Sequence, residues 1–528
     1  MKSLMKKVFA AAAAIATVFG LAATTVATAN AADNATLTVS TTDAKFASKT
    51  VNAYKMFSAT VSGDGKAVSY TLTDEWKPFF KNSVGLTGVT DENVNDKAND
   101  YVSKLKDSTL VAFATKASNW AQTKANNITA DATATVSADA SNGKYTATFT
   151  GLGYGYYVVA VPGATLANAK SQYATLVSVH STKVDADIKG DLPTVDKKVQ
   201  VDGTGKDATD AKIGDTLTFT LTSTIPDMSA YSTYTFNFKD TLSKGLTFGQ
   251  VTSVKVENVT LTENTDYTVT TPTASNNNTL TVAMKDFKTK QQANAGKKIT
   301  VTYTATLNEN AVVGGAGNVN SATIQYSNNP STNGTGESEP SKVRVFTYGF
   351  TVDKYTGDQY TDAATRLAGA EFTLAHKDGS AISFVQVSAG SATANAVYRV
   401  AKAGETGTTT ITTPANGKVV FEGLKNGEYT LTETKAPAGY NKLASAIGVK
   451  VNGQNNGTDT TNATVTITYN NDNGNDYNQT ASNGVIPVQN KSGAILPGTG
   501  GMGTIAFTVI GVLVIALGVA WTLKRKNA

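Results

Sequence analysis

The chain has 528 residues, a formal net charge of +5, no cysteine and two histidines, His180 and His376. Six basic residues lie in end segments that we expect to be removed, so the mature part has a charge near −1, which gives no case for nucleic-acid binding. Without cysteine there are no disulfides, and two distant histidines leave little for zinc sites or Ser–His nucleophiles. We expect no metal and no cofactor.

The first 31 residues have the pattern of a secretory signal peptide. An Ala-rich apolar stretch follows three basic residues, Lys2, Lys6 and Lys7. The triplet Ala29-Asn30-Ala31 gives a small-x-small cleavage site, which predicts cleavage after Ala31. An uncleaved anchor helix is the alternative, but the short apolar run and this flank favour cleavage and secretion.

The mature part alternates apolar and polar residues in short runs bounded by Gly, Asn and Asp. Examples are TLTFTLTST from Thr216 and ATVTITY from Ala463. This period of two predicts β-strands, and the strongest helical pattern is Tyr101 to Ala125, an insertion in the first domain. The fold class is therefore all-β, with tandem immunoglobulin-like sandwich domains.

Two internal repeats divide the mature chain. FTGLGYGYYVV from Phe149 aligns without gaps with FEGLKNGEYTL from Phe421, and Val-Asp-Lys occurs both in PTVDKKV and in GFTVDKY. We therefore predict a first domain at 32–190, a second at 191–342 and a third at 343–495.

The Val-Asp-Lys repeats place a lysine on the inner face of each opening strand. Alternation puts Lys197 in phase with Val195 and Val199, and Lys354 in phase with Val352. A buried lysine is costly as a cation and needs a partner. A plain salt bridge is one solution.

Alternation also predicts a buried acid and a buried asparagine in both domains. In the third domain these are Glu433 and Asn490. In the second they are Asp240 and Asn320, with Asn318 as the rival asparagine.

The C-terminal segment combines three features. Leu496-Pro497-Gly498-Thr499-Gly500 precedes an apolar run from Thr504 to Leu523, and Lys524-Arg525-Lys526 follows. The run has membrane-spanning length, and the basic cluster predicts a cytoplasmic end. The combination resembles the cell-wall sorting signal of Gram-positive surface proteins. This resemblance implies that a membrane sortase cuts between Thr499 and Gly500 and passes the Thr499 carbonyl to an amine.

The stretch YTLTETKAPAGY, from Tyr429 to Tyr440, resembles the E-box of sortase-assembled pilins. The mature chain is similar in layout to their major backbone subunits, with Cna-like domains after an N-terminal domain. In that family a lysine and an asparagine form an intramolecular isopeptide bond beside an essential acid. The resemblance implies two bonds, Lys354–Asn490 with Glu433, and Lys197–Asn320 with Asp240.

The first domain differs from this pattern. The gapless repeat places Val161 where the third domain has Glu433, which predicts no E-box-type bond in the first domain.

The family also carries an acceptor lysine in a Val-x-x-x-Pro-Lys motif near the end of the first domain. Here VDADIKG keeps the Val184-to-Lys189 spacing with Ile188 in place of proline, so Lys189 is the first choice and Lys183 the runner-up.

The resemblance implies a structural, non-enzymatic protein. Its expected partners are a sortase, identical subunits in a head-to-tail polymer, a minor or tip pilin, peptidoglycan and a host glycan or matrix protein. Its expected location is a pilus anchored to the cell wall, where it would support adhesion and colonisation. The alternative is a wall-anchored or tip adhesin, which would show a large extra binding domain. A secreted enzyme would need a cluster of catalytic side chains, which the sequence does not offer.

Overall fold

The computed structural model describes residues 34–493, except 64, 165–173, 230, 329–333, 359–362, 455–462 and 471–475, together with a C-terminal helix. The described chain divides into two compact units. One runs to Thr347 and includes Gly453–Thr464, and the other comprises Tyr348–Asn452 and the rest from Val465. The signal peptide with Ala31, and the sorting motif Leu496 to Gly500, lie outside the described residues.

The first domain contains two sheets. Their orders are β5-β6-β1-β9, and β3-β2-β7-β8 with β4 beside β2. The strands are β1 (Ala35–Thr41), β2 (Thr50–Val61), β3 (Val68–Leu72), β4 (Ala132–Thr135), β5 (Ser137–Asp139), β6 (Lys144–Leu152), β7 (Gly155–Ala160), β8 (Ala174–Val179) and β9 (Lys183–Asp187). Strand β9 returns parallel to β1, so the end of the domain lies beside its beginning.

A helical insertion between β3 and β4 begins earlier than the sequence predicted. Its helices are α1 (Lys77–Asn82), α2 (Val94–Ser103) and α3 (Asp107–Gln122). The predicted range, Tyr101 to Ala125, covers α3 but joins it to the end of α2. Pro78 lies in the first turn of α1, a position that tolerates proline because its N–H would have no helical partner.

The second domain also contains two sheets, ordered β11-β10-β13-β19-β15-β16 and β12-β22-β20-β14-β18-β17, with β21 beside β20. Its strands are β10 (Asp196–Val201), β11 (Thr204–Lys206), β12 (Ala208–Asp210), β13 (Thr216–Thr224), β14 (Phe236–Leu242), β15 (Leu246–Val256), β16 (Val259–Thr260), β17 (Tyr267–Thr270), β18 (Thr279–Met284), β19 (Lys298–Leu307), β20 (Asn318–Ser327), β21 (Thr335–Glu337) and β22 (Ser341–Phe346). The short helix α4 (Phe287–Gln291) precedes β19.

The boundary expected after Lys342 falls inside β22. This strand pairs with β20, so it belongs to the second domain, and the main segment of that compact unit ends at Thr347. The first and second domains lie in one unit and share a continuous apolar core, to which Ile188, Leu192 and Val195 contribute.

The third domain pairs a sheet ordered β25-β26-β28-β23-β33 with one ordered β27-β24-β29-β30-β31-β32. Its strands are β23 (Tyr348–Tyr355), β24 (Glu371–His376), β25 (Phe384–Ser388), β26 (Ala396–Val400), β27 (Ile411–Thr412), β28 (Lys418–Leu424), β29 (Gly427–Lys435), β30 (Ile447–Gln454), β31 (Thr464–Asn470), β32 (Gln479–Thr480) and β33 (Val485–Gln489). The predominance of strands confirms the all-β fold class. Short 3-10 helices elsewhere are Ala44–Phe46, Asp74–Trp76, Lys124–Asn126, Ala274–Asn276, Gln292–Asn294 and Ala363–Thr365.

The C-terminal helix α5 spans Met502–Lys526 and contains the predicted membrane segment, Thr504 to Leu523. Among the residues that the structure describes, no helix meets the length and apolarity required of a membrane span.

Candidate functional site

The third domain brings Lys354, Glu433 and Asn490 together in its core. Lys354 lies on β23 and is fully buried, because the side chain follows Val352 on the inner face of the strand. Asn490 follows the last residue of β33, a strand that pairs parallel to β23 with Lys354 opposite Val488. Its N–H donates to the carbonyl of Tyr355 at 2.9 Å, which continues this pairing. Glu433 comes from β29 in the other sheet.

Glu433 contacts both other side chains of this cluster. Its Oε1 lies 2.9 Å from the Lys354 Nζ, and its Oε2 accepts a hydrogen bond from the Asn490 Nδ2 at 3.0 Å. The backbone N–H of Leu443 donates to the same Oε2 at 2.8 Å. The Nζ also lies 5.6 Å from the centre of the Phe372 ring. One carboxyl group thus holds the amine and the amide on either side of it.

Burial makes the Lys354 amine easier to deprotonate. Desolvation lowers its pKa from 10.5 to about 8, against the opposing effects of the hydrogen bond and charge of Glu433. A substantial fraction of the amine is therefore neutral near physiological pH. Only the neutral form has the lone pair that a nucleophile needs.

The second domain assembles a comparable cluster from different strands. Lys197 lies on β10, whereas Asp240 lies on β14 and Asn320 on β20, the neighbouring strand in the other sheet. All three side chains are fully buried. A fourth residue, Tyr303 on β19 in the sheet of Lys197, completes the cluster.

The Tyr303 hydroxyl contacts each of the other three side chains. It accepts hydrogen bonds from the Lys197 Nζ at 2.9 Å and from the Asn320 Nδ2 at 2.6 Å. It donates to the Asp240 Oδ2 at 2.8 Å, and the Lys197 Nζ also contacts that oxygen. The amine also lies 5.2 Å from the centre of the Phe219 ring and 5.1 Å from that of the Tyr303 ring, and these two rings stack on each other.

Burial favours the neutral forms of the ionisable groups in this cluster. Desolvation lowers the pKa of Lys197 and raises the pKa of Asp240, although their mutual attraction acts in the opposite direction on both. The pKa of Tyr303 lies well above 10, first because of burial and second because of the Asp240 charge. A neutral amine beside a protonated acid can attack an amide.

The two candidate asparagines, Asn318 and Asn320, have different hydrogen-bond partners in the structure. The Asn318 Oδ1 accepts from the Val312 N–H at 2.8 Å, and its Nδ2 donates to the carbonyls of Val312 and Val345 at 3.2 and 3.1 Å. The amide of Asn318 thus binds backbone, whereas the amide of Asn320 lies against Tyr303 in the lysine cluster.

Comparisons with known proteins identify the type of domain. A family model described as the Gram-positive pilin backbone subunit 2 Cna-B-like domain matches residues 213–330. A second model, described as the SpaA prealbumin-like fold domain, matches residues 358–466. The chain therefore contains one domain that matches the Gram-positive pilin backbone type and one that matches the prealbumin-like type.

A curated relative and solved structures are also similar to this chain. The trypsin-resistant surface T6 protein of Streptococcus pyogenes serotype M6 is 26% identical over 279 residues, which cover 48% of this chain and 44% of the relative, less than half of its length. The T6 backbone pilin structure from serotype M6 S. pyogenes has 18% identity and a TM-score of 0.46, with 87% of this chain and 99% of that chain covered. The full-length major pilin SpaD of Corynebacterium diphtheriae has 20% identity and a TM-score of 0.39, with 88% and 98% covered.

Both matches to family models include the acid but not the lysine. The match at 213–330 contains Asp240, Tyr303 and Asn320 and begins after Lys197. The match at 358–466 contains Glu433 and begins after Lys354. The lysines were found instead by the Val-Asp-Lys repeat and by strand alternation.

Sequence reasoning missed the Tyr303 hydroxyl and the aromatic neighbours of the lysines. The signal for Tyr303 was present, because it alternates in phase with Val301 and Ala305 in a strand-like run. A tyrosine on an inner face has a hydroxyl that needs a polar partner. Its position beside Lys197 depends on how the two sheets pack, which the strand pattern does not give.

The predicted acceptor lysines lie at or near the two ends of β9 in the first domain. Lys183 is exposed at the first residue of the strand. Lys189 follows the strand next to the buried Ile188, and its half-buried side chain places Nζ 3.4 Å from the Asp187 Oδ2. Val161, which takes the place of the E-box acid, is buried in the core.

Proposed function

We propose that the protein is a shaft subunit of a covalent surface pilus, stiffened by two intramolecular Lys–Asn isopeptide bonds. The observation that carries this proposal is the burial of a lysine, an acid and an asparagine in mutual reach in each of two domains. A salt bridge alone would not need an asparagine amide pointed at the same carboxyl group or tyrosine hydroxyl.

The chemistry is an amide exchange within each domain. The neutral lysine Nζ attacks the asparagine Cγ, and the neighbouring acid stabilises the developing charge on the carbonyl oxygen. One proton leaves Nζ and one reaches the departing Nδ2, so ammonia is released and a new amide remains. The reaction occurs once per site and is self-modification, so the protein is structural and no enzyme.

Assembly between subunits uses a separate pair of groups. A sortase cleaves between Thr499 and Gly500 and transfers the Thr499 carbonyl to the amine of Lys189 on an identical subunit. Such a head-to-tail contact is heterologous and generates an open fibre. The last subunit is transferred to peptidoglycan, which places the pilus on the cell wall.

An intact-mass measurement on the mature chain, residues 32–499, tests the cross-links. We expect a mass lower than the sequence mass by two ammonia molecules. Peptide mapping should then recover one branched peptide containing Lys197 and Asn320 and another containing Lys354 and Asn490. A mass equal to that of the sequence would overturn the proposal.

Immunogold labelling of the native surface tests the placement in a shaft. Labels distributed along fibres support a shaft subunit. Labels confined to fibre ends or to the wall would instead support the tip or wall-anchored adhesin.

A further inference from the structure

The two proposed bond-forming sites differ in how the acid reaches the asparagine. In the third domain Glu433 accepts directly from the Asn490 amide at 3.0 Å. In the described part of the second domain no hydrogen bond joins Asp240 to Asn320, and the Tyr303 hydroxyl connects them at 2.8 and 2.6 Å. Aspartate has one methylene fewer than glutamate, and the tyrosine hydroxyl occupies the resulting gap.

We propose that Tyr303 is a catalytic residue of the second-domain cross-link, carrying a proton between Asp240 and the departing nitrogen of Asn320. This inference rests on the proposed function. The hydroxyl contacts both reacting groups, because it accepts from the Lys197 Nζ and from the Asn320 Nδ2. It is fully buried, so water does not compete for these contacts.

The proton transfers balance through the observed contacts. The Lys197 Nζ forms a bond to the Asn320 Cγ, and the Tyr303 hydroxyl reverses its hydrogen bonds so that it accepts from protonated Asp240 and donates to the Asn320 Nδ2. Asp240 passes its proton to the Tyr303 oxygen as the Tyr303 hydroxyl proton passes to Nδ2, and the Asp240 carboxylate then takes the proton that Nζ loses. The Cγ–Nδ2 bond then breaks and ammonia leaves. Asp240 and Tyr303 return to their starting protonation states, and no oxidant or cofactor is needed.

The electrostatics of the cluster support a relay rather than a fixed phenolate. The pKa of Tyr303 is well above its usual value, so the hydroxyl keeps its proton until a transfer is coupled to bond breaking. Burial raises the pKa of Asp240, which makes its carboxyl group a proton carrier. Proton transfer by a positioned side chain contributes about 100-fold to 10,000-fold in rate.

The decisive variant is Tyr303→Phe in the mature chain. It keeps the ring that stacks on Phe219 and removes only the hydroxyl. We expect bond formation in the second domain to slow by about 100-fold or more, so that freshly made protein lacks one ammonia molecule rather than two. The third-domain bond serves as an internal control and should form at the wild-type rate.

Tyr326→Phe is the matched control, because Tyr326 is a buried tyrosine on β20 of the same domain. It should show the full deficit of two ammonia molecules. Folded Tyr303→Phe protein that forms the second-domain bond at the wild-type rate overturns the role of Tyr303. Wild-type protein without any deficit would instead overturn the proposed function.

A second experiment keeps every tyrosine hydroxyl in place and therefore applies even if the Tyr303→Phe protein does not fold. Incorporation of 3-fluorotyrosine at all tyrosines lowers the pKa of each phenol with little change in shape. A relay predicts a changed rate of formation for the Lys197–Asn320 bond and an unchanged rate for the third-domain bond. Peptide mapping at successive times measures both rates. Unchanged rates at both sites would overturn the relay.

Discussion

Replacing the third-domain acid, Glu433→Gln, should prevent one cross-link and lower the stability of that domain. Glutamine has the same shape and can still accept from the Leu443 N–H, but it cannot exchange a proton with Lys354. The proposed Lys354–Asn490 bond would close a loop of about 136 residues. By the loop-entropy relation used for disulfides, closing a loop of this size constrains the unfolded chain by about 5 kcal/mol.

The expected loss in melting temperature follows from this free energy. For a domain of about 150 residues, each kcal/mol shifts the melting temperature by about 2–4 °C, which gives a decrease of about 10–20 °C for the third domain. Differential scanning calorimetry of the mature chain measures this decrease. Intact mass measures the loss of one of the two ammonia deficits in the same sample.

Glu428→Gln is the matched control for this variant. Glu428 lies on the same strand, β29, and forms partly exposed ion pairs with Lys377 and Lys450 at 3.0 and 3.3 Å. Surface pairs contribute about 0–1 kcal/mol, so this control should keep both cross-links and nearly the wild-type melting temperature. A Glu433→Gln protein that keeps the full mass deficit would contradict the role of this acid, and one that loses one ammonia deficit without a lower melting temperature would contradict the stabilising effect of the bond.

Three further predictions concern assembly, the choice of asparagine and pH. In the native host, Lys189→Ala should abolish the high-molecular-weight ladders seen by immunoblotting, and persistence of ladders would move the acceptor role to the runner-up lysine at the start of β9. Asn320→Ala should reduce the mass deficit to one ammonia molecule. Asn318→Ala should keep both deficits but lower the free energy of unfolding by about 1–3 kcal/mol, because its backbone partners lose their hydrogen bonds. In Asn490→Ala, which cannot cross-link, the folded pKa of Lys354 is about 8, so the unfolded state binds more protons above that pH. Its free energy of unfolding should therefore rise between about pH 8 and 10.5 in denaturant titrations. The rise should disappear when Lys354→Met is added to the same chain. A rise that persists in this double variant would contradict the lowered pKa of Lys354.

Strand alternation was sufficient to predict that the lysines and acids of the two clusters are buried. It placed Lys197 and Asp240 in the core of one domain and Lys354 and Glu433 in that of another, and all four are buried. The reason is local: side chains two residues apart share one face of a strand. The same rule put Asn490 in phase with Val488, and both are buried.

Features that depend on contacts between distant segments of the chain were harder to predict from the sequence. Alternation alone could not distinguish Asn318 from Asn320, since both point inward from β20. Only the packing of the other sheet brings Tyr303 against one of them. The limit of the second domain was misplaced for a similar reason, because pairing with β20 extends that domain to the end of β22.

The strands that carry each proposed bond determine how much of a domain it would protect from pulling. In the third domain the bond would join β23 to the residue that follows β33, so nearly all of the strands lie within the covalent loop. In the second domain it would join β10 to β20, so β21 and β22 lie outside the loop. Those strands are held by hydrogen bonds to β20 and β12. A load along the second domain would therefore bypass residues 198–319 and act on residues 321–346. We infer that these residues are the part of the second domain that can extend first under tension.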